Sequence, residues 1–258
     1  MVSVCKRDSG TDLANELGEF IIKRQNEALL SKQDHFYIAI SGGSLINVLK
    51  KCLIDNKTIA AKVKWPQWRI YFVDERIVPF DSPDSNYGAF KKAILDPLSH
   101  NNDELNEGPT VYALNESLVG NGAAGNEKVA EDYESLLPKF PFHLLLLGFG
   151  PDGHTCSLFP NPEHRYLVEE RKRHVMYCHD SPKPPSDRIT ITLPVIKSAN
   201  SIAFVGEGAS KQEILHEIFD IKNEKLPTVM VNDIGKDVYW FVNTIAFEKT
   251  KAIDITVV

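Results

Sequence analysis

The stretch HLLLLGFGPDGHTCSLFP, residues 143–160, decides the reading of the fold. Four leucines, Leu144 to Leu147, follow one another with no polar residue between them. A strand with one wet face would alternate; an unbroken apolar run of this length fits a strand of a parallel sheet covered on both sides. Gly148, Gly150 and Gly153 come next, spaced as the dinucleotide fingerprint G-x-G-x-x-G. The segment after Gly153 defeats that reading. Such a loop has to open a full helix, yet Pro160-Asn161-Pro162 stands only seven residues after Gly153. The loop carries other chemistry. Asp152 and His154 are two residues apart among glycines, so the carboxylate can orient the imidazole. An imidazole titrates near neutral pH, which suits a general base.

Working outward, strand-like and helix-like segments alternate. Residues 35–40, 68–73, 110–114, 174–178, 188–192, 201–205 and 238–242 read as strands. Residues 45–53, 87–95, 126–137 and 210–220 read as helices, and a first helix over 13–28 follows Thr11-Asp12 as its cap. Residues 121–125 read as a loop, as do 99–108 and 183–187, none long enough for an interdomain linker. The pattern predicts an α/β fold: a single domain over 1–258 with an open, mostly parallel, doubly wound sheet and helices on both faces.

Composition fits that fold. Of 258 residues, 43% are hydrophobic and 25% charged, which excludes a disordered chain, a collagen and a coiled coil. The net charge of −6 supplies no obvious basic face for nucleic acid. It also means that an anionic substrate must be caught by a local cluster of cations. Cys5, Cys52, Cys156 and Cys178 are scattered, with no C-x-x-C pair, and read as thiols of a reducing compartment. The first ten residues show no secretory pattern, and no apolar run exceeds five residues, far short of the ~20 residues of a membrane helix. The expectation is a soluble cytoplasmic protein.

Ligands of open α/β sheets sit at the carboxyl ends of strands. Four unusual segments fall there: 41–44, 74–76, 148–154 and 206–211. Ser41, Gly42, Gly43 and Ser44 let the backbone approach an anion at a helix start, though no Walker-type Gly-Lys-Ser/Thr comes after them. Lys211 lies in the first turn of another helix, where an ammonium reaches the same kind of anion. Arg76 has the planar fork that suits phosphate, and Asp74 beside it would bond sugar hydroxyls or hold a cation. Arg188 opens a strand and by itself reads as a surface charge. There is no G-x-S-x-G elbow and no H-E-x-x-H, and the eight histidines form no compact ligand set, so neither a serine hydrolase nor a catalytic zinc is expected.

Taken in order, Ser41-Gly-Gly-Ser44, Phe72-Val-Asp-Glu-Arg76, Ser85-Asn-Tyr-Gly88, Leu147-Gly-Phe-Gly-Pro-Asp-Gly-His154 with Ser157-Leu-Phe-Pro160, Arg188-Ile-Thr-Ile-Thr-Leu-Pro194 and Gly206 followed by Lys211 make the chain resemble the 6-phosphogluconolactonase family, within the wider glucosamine-6-phosphate deaminase/isomerase superfamily. The resemblance runs from about residue 10 to residue 245. It implies hydrolysis of 6-phospho-D-glucono-1,5-lactone without metal or organic cofactor. It implies His154 as general base, with phosphate contacts at 41–44, Arg76, Arg188 and Lys211. The implied partner is a small phosphorylated sugar lactone, with no nucleic acid, membrane or obligate protein partner. The alternatives are an amino-sugar-phosphate deaminase or isomerase, whose proton-moving aspartate matches Asp74, and a non-catalytic sugar-phosphate sensor. Two departures favour the lactonase. Deaminases usually end the strand at Asp74 as Asp-Glu-Tyr, where this chain has Asp74-Glu75-Arg76, and they follow their D-G-H with Ile-Ala-Phe-Asn-Glu, where this chain has Thr155-Cys-Ser-Leu-Phe159.

Overall fold

The computed structural model describes residues 2–31, 34–101, 108–252 and 256–257. Residues 102–107, the middle of the loop expected at 99–108, lie outside them, and the residues before them belong to a helix, Asp96–Asn101.

The central strands form where apolar residues can face two cores. The strands are β1 (Val2–Arg7), β2 (Phe36–Ile40), β3 (Trp68–Phe72), β4 (Asp74–Arg76), β5 (Thr110–Val111), β6 (Leu144–Leu147), β7 (Val175–Cys178), β8 (Arg188–Ile191), β9 (Ser201–Gly206), β10 (Val238–Asn243) and β11 (Thr256–Val257). Eight of them make an open sheet in the order β11-β1-β10-β9-β6-β2-β3-β5, every pair parallel. The four leucines of β6 are fully buried and alternate between the faces. Leu145 and Leu147 join Phe204 and Trp240 under helical residues such as Ile196, Ile214 and Val231. Leu144 and Leu146 join Ile38 and Ile40 under Leu13, Leu17 and Ile21, one stripe of the helix Gly10–Leu30. Each fully buried leucine contributes about 1.5–3 kcal/mol, so both layers of helices are held by the same central strands.

The strand order positions the site. From β2 the chain steps outward through β3 to β5; β6 then returns to the other flank of β2, and β9 and β10 step outward the opposite way. The direction of winding reverses between β2 and β6. The crevice beyond the carboxyl ends of those two strands is where an open α/β sheet takes its ligand. The segments 41–44 and 148–154 are the exits of these strands.

Several expectations are corrected. Residues 174–178 and 188–192 are strands, but not of the parallel sheet. With β4 they form a separate antiparallel sheet in the order β4-β8-β7. Asp74-Glu75-Arg76 is therefore itself a strand. Val73 is the joint: its N–H donates to Ile40 O (3.0 Å) and its carbonyl accepts from Ile191 N (2.8 Å), so the chain passes from one sheet to the other within a residue. The first helix is capped by Ser9, not by Thr11-Asp12; Ser9 Oγ accepts from Asp12 N at 3.1 Å and donates to the Asp12 carboxylate. The helix expected from 126 begins at Gly122. Gly125 there serves packing, since a Cβ would lie 2.4 Å from Asn121 Cβ. The strands β1 and β11 and the helix Pro227–Ile234 had no counterpart in the sequence reading. Among the described residues no helix is long and apolar enough to cross a membrane, and all four cysteines are buried free thiols.

Candidate active site

The exits of β2, β3, β6 and β9 and the start of β8 enclose a cavity of about 180 Å³. Ser41, Gly42, Gly43 and Ser44 form one wall. Asp74, Arg76 and Arg188 form a second, and His154 and Lys211 close it. Every residue singled out from the sequence thus reaches this space except Asp152, which stands behind His154. A larger hollow of about 530 Å³ is lined by Asp12, Glu16 and Glu19 around Arg7; its carboxylates disfavour an anion.

The glycine loop is built for close approach. Ser41 N–H continues the sheet onto Leu146 O (2.9 Å), and Ser41 Oγ accepts from Gly148 N (3.0 Å), which ties the two exits together. A Cβ on Gly42 would fall 1.7 Å from Asn86 Oδ1. Gly43, at φ +66°, then turns the chain into the helix Ser44–Lys50, whose start at Ser44 lines the cavity and has no side-chain cap.

The cationic wall comes from the small sheet. Arg76 and Arg188 are register partners across β4 and β8. Like charges directly opposite one another are destabilising, and both arginines line the cavity. Arg188 is only 3% exposed, against the expectation of a surface charge. Its Nε donates to Pro185 O (2.9 Å) and its Nη2 to Lys183 O (2.9 Å). Burial pushes this guanidinium below its ordinary value, with Asp74 opposing. Arg76 Nη1 donates to Asp84 O at 2.7 Å, while its buried Nε finds no protein acceptor among the described residues. Lys211 Nζ donates to Phe149 O and lies 4.7 Å from the centre of the Phe149 ring. Burial, then Lys183, push its ammonium down, and Asp152 opposes them. Asp74 is fixed by Ser157 Oγ, which donates to Oδ2 at 2.8 Å.

The histidine shares the cavity with these cations. His154 Nδ1 is bonded to Asp152 Oδ1. The carboxylate selects the tautomer with the proton on Nδ1 and leaves the Nε2 lone pair free. The ring packs against Phe159, centroids 5.0 Å apart. Gly150 passes beneath the pair, where a Cβ would lie 2.1 Å from the imidazole. Burial alone would raise the Asp152 carboxyl, but the bond to His154 and the Lys183 ammonium outweigh it and hold the group well below the usual carboxylate range. Cys156 lines the cavity too, in the left-handed region at φ 53°, but burial and then Asp74 push its thiol well up, which removes it as a nucleophile. Among the described residues no cluster of His, Cys, Asp or Glu is arranged to hold a metal ion.

Three residues of the site had no assigned role in the sequence reading. Asn86 lines the cavity and donates through Nδ2 to Asp74 O (2.9 Å). Buried Glu75 accepts from the backbone amides of Arg76, Asn86 and Tyr87 at 2.8, 2.8 and 2.7 Å, and burial pushes it up to about 7. Both stand inside the motifs Phe72–Arg76 and Ser85–Gly88, so proximity within those motifs was the available signal. Lys183, 3.0 Å from His154 Nδ1, comes from a proline-rich loop with no such signal.

Comparison with known proteins adds an independent line. A sequence profile described as glucosamine-6-phosphate isomerases/6-phosphogluconolactonase matches residues 8–240. The chain is 52% identical over 252 residues to 6-phosphogluconolactonase 3 of Saccharomyces cerevisiae, covering 97% of this chain and 98% of the relative. It is 34% identical to the 6-phosphogluconolactonase of Rattus norvegicus, covering 92% and 90%. The solved structure of 6-phosphogluconolactonase from Trypanosoma brucei superposes with a TM-score of 0.76 at 26% identity, covering 96% of this chain and 98% of that one.

Proposed function

Because the chain belongs to the family of glucosamine-6-phosphate isomerases and 6-phosphogluconolactonases, we propose that it hydrolyses 6-phospho-D-glucono-1,5-lactone to 6-phospho-D-gluconate, without a metal or organic cofactor and in the cytoplasm. The observation that carries this reading is the meeting, in one cavity, of the facing arginines Arg76 and Arg188 with an Asp152-bound His154. One feature grips a phosphate and the other removes a proton from water.

A lactone is an activated ester, so three things suffice: a deprotonated water, a stabilised oxyanion and a grip on the distant phosphate. Arg76, Arg188 and Lys211 hold the phosphate with charge-assisted bonds, helped by the amides of 41–44. That remote binding orients C1 against His154. Neutral His154 takes a proton from water through Nε2 as the water oxygen adds to C1; a positioned base supplies about 10²–10⁴-fold. Asp152 keeps the proton on Nδ1 and steadies the imidazolium. The oxyanion at C1 is stabilised by glycine-loop amides or a nearby cation. Collapse breaks the bond between C1 and the ring oxygen, and His154 returns its proton to that oxygen. Asp74, held by Ser157, accepts from sugar hydroxyls.

The test is acid release from freshly made phosphorylated lactone against its spontaneous hydrolysis, beside ammonia release from glucosamine-6-phosphate. Acid release well above background with no ammonia supports the lactonase. Ammonia release assigns the chain to the other branch of the family, and tight phosphogluconate binding with neither reaction makes it a sensor.

A further inference from the structure

The proposed hydrolysis leaves Lys183 without a role, although its ammonium makes polar contacts with both members of the His154–Asp152 pair. Its Nζ lies 3.3 Å from each carboxylate oxygen of Asp152 and 3.0 Å from His154 Nδ1. Its backbone faces the other way: Lys183 O accepts from Arg188 Nη2 at 2.9 Å, and the carbonyls of Pro184 and Pro185 accept from the same guanidinium. The loop is pinned by Ser181, whose Oγ donates to Lys183 O (2.9 Å) and accepts from Lys183 N (3.2 Å). One residue thus joins a phosphate-side arginine to the general-base pair.

Charge indicates what the ammonium does. With a neutral imidazole, Asp152 and Lys183 cancel. When His154 has taken a proton from water, the trio carries one net positive charge. Without Lys183, the imidazolium would face a bare carboxylate and the proton would be held more tightly. Contact with both oxygens also fixes the rotation of the Asp152 carboxylate, so that Oδ1 stays on Nδ1–H. We propose that Lys183 is a positioning residue of the hydrolysis: its ammonium fixes Asp152 against His154 and keeps the proton taken from water transferable to the departing ring oxygen, while its carbonyl ties that pair to Arg188. This role stands only if the chain hydrolyses the lactone through His154. In the step concerned, water's O–H bond breaks, its oxygen bonds C1 and its proton goes to Nε2; then the bond between C1 and the ring oxygen breaks, and the same proton passes to that oxygen.

The experiment compares wild type, K183M, K183R, D152N and K183M/D152N on the phosphorylated lactone and on unphosphorylated gluconolactone. K183M keeps the carbonyl that holds Arg188, so kcat falls about tenfold or more while KM stays within about threefold. The loss is the same factor on both lactones, and K183R restores most of it. The double variant is no slower than D152N alone, because Lys183 acts through Asp152. A K183M enzyme within about twofold of wild-type kcat overturns the role. So does a rise in KM confined to the phosphorylated lactone, which makes Lys183 a phosphate ligand, and so do losses that multiply in the double variant. A wild type that leaves the lactone at its spontaneous rate overturns the reaction itself, and the role of Lys183 with it; turnover by wild type and K183M alike overturns the role alone.

Discussion

At the scale of residues, the proposed mechanism divides the site into a grip and a base, and substitutions separate them. Arg76→Ala and Lys211→Ala each remove a charge-assisted contact, so KM for the phosphorylated lactone rises about tenfold or more. Steady-state kinetics on both lactones check this; an equal loss on the unphosphorylated lactone would contradict the grip. Asp152→Asn presents the wrong partner to Nδ1, which favours the tautomer with a proton on Nε2, and kcat falls roughly 10²-fold or more while 6-phosphogluconate still binds. These residues were legible because glycines and charges crowd at strand exits and the motifs keep their order. Two features were not. Arg188 begins a strand, and nothing in its neighbours announces that it is buried. Lys183 meets His154 from 29 residues away, through a loop whose prolines say only that it is not a helix or central strand.

At the scale of elements, the short strand β4 is fastened to the helix Asn86–Phe90 by the Glu75 carboxyl and by Asn86 Nδ2, which donates to Asp74 O. Glu75 accepts three backbone amides, two of them at the start of that helix, and the helix in turn sets Asn86 against the Gly42 loop. Burial raises Glu75 from its ordinary 4.5 to about 7, with the amides opposing. Between those values the folded chain keeps a proton that the unfolded chain has released. Its contribution to stability is therefore full below the lower value and lost as pH rises through the upper one. Melting temperatures from about pH 4.5 to about pH 8 should show this decline in wild type and lose it in Glu75→Gln, which is also about 1–3 kcal/mol less stable because an amide nitrogen faces a backbone N–H. An unchanged slope in the variant would remove Glu75 as its source. The sequence identified the segment but not its partner. β4 is three residues long and polar, and whether it pairs with β8 depends on Val73 joining the two sheets, a contact 118 residues apart that local pattern does not encode.

At the scale of the whole molecule, the proposed reading has a chain of net charge −6 bind an anion through a local concentration of cations at a topological switch point. Salt screens such attraction, with a Debye length near 8 Å at about 0.15 M. KM for the phosphorylated lactone should rise several-fold between about 0.02 and 0.5 M salt, and KM for the uncharged lactone should change little. Equal responses would place the anion elsewhere. The parallel α/β architecture was legible from the alternation of apolar runs and helical stripes, and above all from the four leucines buried on both faces. The edges were not: β1 and β11 are recruited by their neighbours rather than by strong patterns of their own. The central claim is that one imidazole, held by Asp152 beside the cationic wall, activates water at C1. Its most direct test measures His154→Ala twice: turnover of freshly made 6-phosphogluconolactone, and affinity for 6-phosphogluconate. The account predicts turnover reduced to the spontaneous background with affinity close to wild type; full kcat in that variant would contradict it.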